Sequence, residues 1–233
     1  MIKGDYFTFT PDDVIWLCKN KLSTQHRHLK LTSLNVAFSN AHHIYLNGQT
    51  HSNQFSSLCS SGTREIQSDD LLIQNKPQNF ICILTGLIHK KYLDIFKLSW
   101  QNGSEELFMW YLGGIGEEIV YTYDKLVALR DGQHNWQIIN DKGVLINFRN
   151  DSLVRANQLF NIYKILIYKY SDILPKLNYS FEMKLSKILL KLIGIKSLSK
   201  VYQMRHIGKF SILILLNYFL IWKIYKKIQK KFQ

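Results

Sequence analysis

Acidic residues all but vanish from the last third of the chain. Residues 151–233 hold three carboxylates, Asp151, Asp172 and Glu182, against 16 lysines and arginines, a net charge of +13. Residues 1–150 carry 14 charges of each sign, so the whole excess of this 233-residue chain sits in one segment. A balance so lopsided selects a polyanion as partner for that segment, either an anionic membrane surface or a nucleic acid. Proline is scarce too, at three, and 46% of the residues are hydrophobic. Intrinsic disorder is thereby excluded, because enough apolar surface exists to offset the entropy of ordering. Cysteine numbers three (Cys18, Cys59 and Cys82), an odd count without framework or metal-like spacing. A disulfide scaffold is excluded, and reduced thiols in an intracellular setting are expected. The opening MIKGDYFTFTPDD has no apolar core before its acids, so no secretory signal is expected.

What is present divides at about residue 150. The composition predicts an α+β protein, with a charge-neutral mixed head at 1–150 that contains an antiparallel β-meander. An all-helical, basic module follows at 151–233. In the head, Thr10 as N-cap, Pro11 at the first turn and Asp12-Asp13 behind it predict a helix over residues 11–22. Alternating Leu29, Leu31, Leu34, Val36, Phe38, Ile44 and Leu46 predict strands over residues 28–47, broken by a turn at Ser39-Asn40. Residues 48–79, rich in Ser, Gln and Asn, read as loop, and residues 83–100 as a helix. Short β-prone runs at 107–112, 119–123, 127–129, 136–139 and 144–148, separated by Gly-containing turns, compose the meander. In the basic module the spacing predicts helices over 152–170 and 181–193, with Gly194 as C-cap, and a last one from 210.

Several groupings of reactive side chains are ordinary structure on closer reading. Cys59-Ser60-Ser61-Gly62-Thr63-Arg64 resembles the phosphate loop of cysteine phosphatases, but four residues separate Cys from Arg where that loop needs five. Gly113-Gly114-Ile115-Gly116 is followed by Glu117 and Glu118, which would repel a phosphate, so it reads as a turn. His26 with His28, and His42-His43 with His51, lack a cysteine or carboxylate to complete a zinc set, and no metal or other cofactor is assigned. Gln133-His134-Asn135-Trp136 followed by Asp141 is similar to the arrangement in papain-like and transglutaminase-like hydrolases. The resemblance implies His134 as base, Asp141 as its orienting partner and Cys59 or Cys82 as nucleophile.

The strongest signal is the basic third. Lys184, Lys187 and Lys191 oppose an aliphatic helix face. The apolar run at 210–222, with Phe210, Leu213, Leu216 and Trp222, leads straight into Lys223, Lys226, Lys227, Lys230 and Lys231. Aliphatics beside lysines suit a helix lying in the interface, acyl chains on one side and lipid phosphates on the other. Thirteen residues rise only about 20 Å, short of the ~30 Å hydrocarbon core, and a polybasic tail disfavours translocation. The expectation is a peripheral or monotopic protein on the cytoplasmic side of a membrane. A transferase acting on lipid-linked or glycan substrates is the class of enzyme that would suit such a place. A nucleic-acid-binding protein using the same third is the competing reading, because Tyr163-Lys164 and Tyr168-Lys169-Tyr170 interleave aromatics with charge.

Overall fold

A computed structural model describes residues 4–10, 14–45, 50–52, 62–72, 81, 83–102, 105–131, 137–139, 145–147 and 151–229. They fall into two compact units, residues 1–135 and 136–233. The architecture is α+β, with the mixed sheet in the first unit and the long helices in the second.

Two long strands carry the first unit. β3 (Val36–Tyr45) and β7 (Ile119–Asp131) lie side by side in parallel, Ala37 opposite Val120 at one end and Tyr45 opposite Asp131 at the other. Val36, Ala37 and Phe38, like Ile119, Val120 and Tyr121, are buried without a break, so both faces of the sheet are covered. Because β3 and β7 pair along their length, each has one edge left for two short partners. β6 (Leu87–His89) and β4 (Thr50–Ser52) share the free edge of β3, and β5 (Thr63–Ile66) and β2 (Val14–Trp16) share that of β7. β1 (Tyr6–Phe7) adds to β6, and every pairing except β3–β7 is antiparallel. Four helices accompany the sheet: α1 (Lys21–Thr32), α2 (Ser68–Leu71), α3 (Leu93–Gln101) and α4 (Glu105–Gly114). Leu29 of α1 packs on Ala37, Leu87 and Val120. Gly113 lets α4 approach α2, since a Cβ there would sit 2.7 Å from the Ser68 carbonyl oxygen.

Several sequence expectations for this unit are overturned. Residues 14–16 form a strand in place of the middle of a helix, and α1 starts only at Lys21. Val14, Ile15 and Trp16 are β-prone, and pairing with Val127–Leu129 at the sheet edge outweighs the helix-start chemistry before them. Residues 28–32 belong to α1 and not to a strand. The buried stripe of that helix is Lys21, Gln25 and Leu29, so two polar side chains hide its period. At Ser39-Asn40 the chain does not turn; β3 runs on through a register shift against β7. There the Thr85 hydroxyl accepts from the Ser39 amide at 3.2 Å, and Asn40 Oδ1 accepts from the Ala41 amide at 2.9 Å. Within 48–79, read as loop, lie β4, β5 and α2. Residues 83–100 split into a 3-10 turn, β6, a second 3-10 turn and α3. The run at 107–112 is helical. Leu107 to Trp110 are buried all round, which leaves no period to read, and Glu105 and Glu106 favour a helix start. The expected strands at 119–123 and 127–129 are one, β7.

In the second unit β8 (Gln137–Ile139) and β9 (Leu145–Asn147) pair antiparallel, Ile138 opposite Ile146, as expected for the runs at 136–139 and 144–148. α5 (Ser152–Tyr170) is capped by Asp151, whose Oδ1 accepts from the amides of Leu153 and Val154 at 2.8 and 3.0 Å. α6 (Tyr179–Ile193) is capped by Asn178, and Gly194, at φ +62°, ends it. A short helix α7 (Leu198–Val201) precedes the last element, α8 (Lys209–Gln229). Leu159, Phe160, Tyr163, Phe181, Leu185, Leu189, Val201, Leu215 and Phe219 supply the core of this unit.

Candidate membrane-surface site

The site is built on α8, and α6 determines which part of α8 is open. Tyr179 and Ser211 share a hydrogen bond of 3.1 Å. Farther along, the ammoniums of Lys187 and Lys191 stand 5.1 and 5.7 Å from the ring centre of Tyr218. A Cβ on Gly194 would touch the Phe219 ring at 3.4 Å. Positions advance together on both helices, so α6 and α8 run alongside each other in the same direction. α6 ends at Ile193, beside Phe219, and α8 continues past it to Gln229. In that overhang, residues 220–229, every residue is exposed except the half-buried Trp222.

Two faces of α8 result. Ile212, Leu215 and Phe219, three and four residues apart, are buried. The opposite face carries Phe210, Leu213, Ile214, Leu220, Ile221, Ile224, Tyr225 and Ile228, exposed by 41% to 76%, at the same spacing. From Phe210 to Ile228 this stripe runs about 27 Å at 1.5 Å per residue. Asn217 and the Tyr225 hydroxyl, which accepts from Gln229 Nε2 at 2.7 Å, are its polar points. Continuous exposed apolar surface on a folded domain marks a surface that something covers.

Among the described residues the cations around the stripe pair with no carboxylate. Of the three acids in 151–233, Asp151 caps α5 and Asp172 accepts from the Ser171 hydroxyl at 3.2 Å. Glu182 is buried, and its oxygens take four hydrogen bonds. The Tyr163 hydroxyl donates at 2.8 Å, the Arg205 and His206 amides at 3.1 and 2.6 Å, and His206 Nδ1 lies at 2.9 Å. Burial first, and the bond to Glu182 with it, push the Tyr163 hydroxyl well above the ordinary phenol range. This knot ties α5, α6 and the segment that enters α8. Among the described residues, Lys184, Lys187, Lys191, Lys223, Lys226 and Lys227 make no ion pair. All are exposed except the half-buried Lys187.

Of the residues assigned from sequence, Phe210 and Leu213 lie on the open stripe. Leu216 is half-buried, and Trp222 stacks on Phe219 with ring centres 5.9 Å apart. Lys230 and Lys231 lie outside the described residues, as do Cys59, Cys82, His134 and Asp141. Ile214, Leu220, Ile221, Ile224, Tyr225 and Ile228 belong to the stripe and were not singled out from sequence. Their signal was present: isoleucine recurs at three- and four-residue spacing through the basic tail, where charge drew attention away from period.

An unusual polar cluster of the first unit surrounds Lys21. Lys21 is fully buried, its ammonium 3.1 Å from Gln25 Oε1, 3.5 Å from the Thr8 hydroxyl and 5.1 Å above the Trp16 ring. Among the described residues no carboxylate faces it, and burial brings its pKa down to about 8. Gln25 in turn donates to the Thr85 carbonyl at 2.8 Å. His26 and His28 sit on α1, two residues apart and so on different faces; His26 meets the Tyr6 ring edge-on and His28 lies 3.4 Å from the Thr63 hydroxyl. Among the described residues no three His, Cys, Asp or Glu side chains converge as a metal site. No helix among them is long and apolar enough to cross a membrane.

Comparison of the sequence with protein families and with curated proteins finds no match.

Proposed function

We propose that this protein binds an anionic membrane surface through its C-terminal unit. The open face of α8 enters the acyl boundary, and the lysines of α6 and α8 reach the lipid phosphates. The observation that carries the reading is the apolar stripe from Phe210 to Ile228, turned away from α6 and attended by cations that, among the described residues, have no carboxylate partner. An interfacial helix needs those two features together, because the apolar face supplies affinity and the cations supply attraction to the charged leaflet. A stripe of about 27 Å lying in one leaflet also accommodates the lysines of the overhang, which a span would have to carry across. The first unit is then held at the surface, where lipid-linked or glycan-bearing substrates are within reach of a transferase.

Vesicle flotation of the full chain tests the reading. Binding to vesicles containing phosphatidylglycerol is expected. Ile221 and Ile224 are 68% and 60% exposed, so Ile221→Asp with Ile224→Asp leaves the fold intact. Each isoleucine withdrawn from lipid costs at least about 1.5 kcal/mol, which makes the joint loss of binding a hundredfold or more, on the order of 3 kcal/mol. Equal flotation of both proteins would contradict the proposal. A concentration-dependent dimer that the same pair abolishes, without vesicle binding, would assign the stripe to a second copy. RNA binding that falls steeply with salt and ignores the pair would assign the cations to nucleic acid.

A further inference from the structure

We infer that Lys187 and Lys191, gathered over the ring of Tyr218, select a phosphomonoester headgroup within that anionic surface; the inference rests on the membrane reading above. The two lysines are one helical turn apart on α6, and their ammoniums lie 5.1 and 5.7 Å from one ring centre. Neither has a carboxylate within ion-pair distance among the described residues. The aromatic face attracts each cation, but it does not remove the repulsion between them. A single ligand carrying two negative charges does. A phosphomonoester carries about −1.5 to −2 near neutral pH and presents three unsubstituted oxygens, whereas a phosphodiester offers one charge and two such oxygens. Two ammoniums bring six N–H donors to that group.

Position makes this pair a headgroup contact. Tyr218 is half-buried on the flank of α8, three residues before Ile221 of the open stripe. With the stripe in the acyl boundary, cations along its flank stand at the height of the lipid phosphates. A second ring carrying two lysines provides an internal control. Lys164 and Lys200 each stand 5.2 Å from the Phe160 ring centre, but they belong to α5 and α7 and not to the α6–α8 pair.

The test is co-sedimentation of the full chain with phosphatidylcholine vesicles containing either phosphatidic acid or phosphatidylglycerol, at matched surface charge. Preference for phosphatidic acid by about fivefold or more is expected, the worth of one additional lysine–phosphate contact. Lys187→Gln with Lys191→Gln should bring the ratio to about one, while Lys164→Gln with Lys200→Gln leaves it unchanged. Equal binding of the two vesicles at matched charge, or a preference that survives loss of Lys187 and Lys191, would overturn the inference and leave the membrane reading standing. Absence of binding to either vesicle would overturn both. Loss of the preference in millimolar inorganic phosphate, with the protein still bound, would replace the lipid by a soluble phosphate as the ligand of the pair and overturn the headgroup assignment.

Discussion

The two units treat a buried charge in opposite ways. The N-terminal unit buries the cation of Lys21 against neutral oxygens and an indole ring, with no carboxylate facing it among the described residues. The C-terminal unit buries the carboxylate of Glu182 and surrounds it with a phenol, two backbone amides and an imidazole. The surfaces are reversed as well. Residues 36–38 and 119–121 of the β3–β7 pair are buried on both faces, whereas α8 leaves an apolar stripe open along its length. Among its described residues the C-terminal unit thus gives its buried carboxylate hydrogen-bond partners and leaves an apolar outer face open, the combination on which the proposed membrane contact rests.

The largest effect that would break this comparison is loss of the Glu182 knot. Glu182→Ala strands the Tyr163 hydroxyl proton and the His206 amide, while the Arg205 amide keeps its 2.9 Å bond to the Tyr163 hydroxyl oxygen. A cost of about 3–5 kcal/mol is expected, the range for removing one partner from a buried charged network. Chemical denaturation followed by a probe in the C-terminal unit measures it; a cost below about 1 kcal/mol would mean the knot is ornamental.

A somewhat smaller effect is expected from Lys21, and its sign distinguishes it. The folded chain releases this proton near pH 8, whereas an unfolded lysine holds it to about 10.5. Between those values the unfolded state binds more protons, so stability rises with pH across the window, by up to about 3 kcal/mol. Below pH 8 the amine is charged in both states and its burial penalty is constant. Urea titrations of the native chain and of Lys21→Met, from pH 7 to pH 10.5, isolate the contribution. The stability of the native chain relative to Lys21→Met should rise as pH rises, and a constant difference would show that Lys21 keeps an ordinary pKa.

How much of this was legible in the sequence follows from where the polar residues sit. α5, α6 and the β8–β9 pair announce themselves, because their apolar period, caps and β-prone runs agree. α1 does not, since Lys21 and Gln25 occupy two of its three buried positions and their partners, Thr8 and Thr85, are distant in sequence. α4 fails for the opposite reason: with apolar side chains all round it has no period to detect. β2 is made by its pairing with β7, a contact about 110 residues away along the chain that no local signal carries. For the candidate site, the basic bias of 151–233 was plain, and so was the apolar run at 210–222. Which face of α8 remains open depends on where α6 ends, and only the packing of Gly194 beside Phe219 reveals it.

The central claim, that the outer face of α8 is the membrane-facing one, is tested most directly by a pair of environment-sensitive fluorophores. In a chain whose three cysteines are replaced by serine, one label is placed at Ile221→Cys on the stripe. A second protein carries it at Lys226→Cys, on the opposite side of the same overhang. On addition of anionic vesicles the account predicts a blue shift with increased emission at 221 and little change at 226. Equal responses at the two positions, or a response at 226 alone, would contradict it.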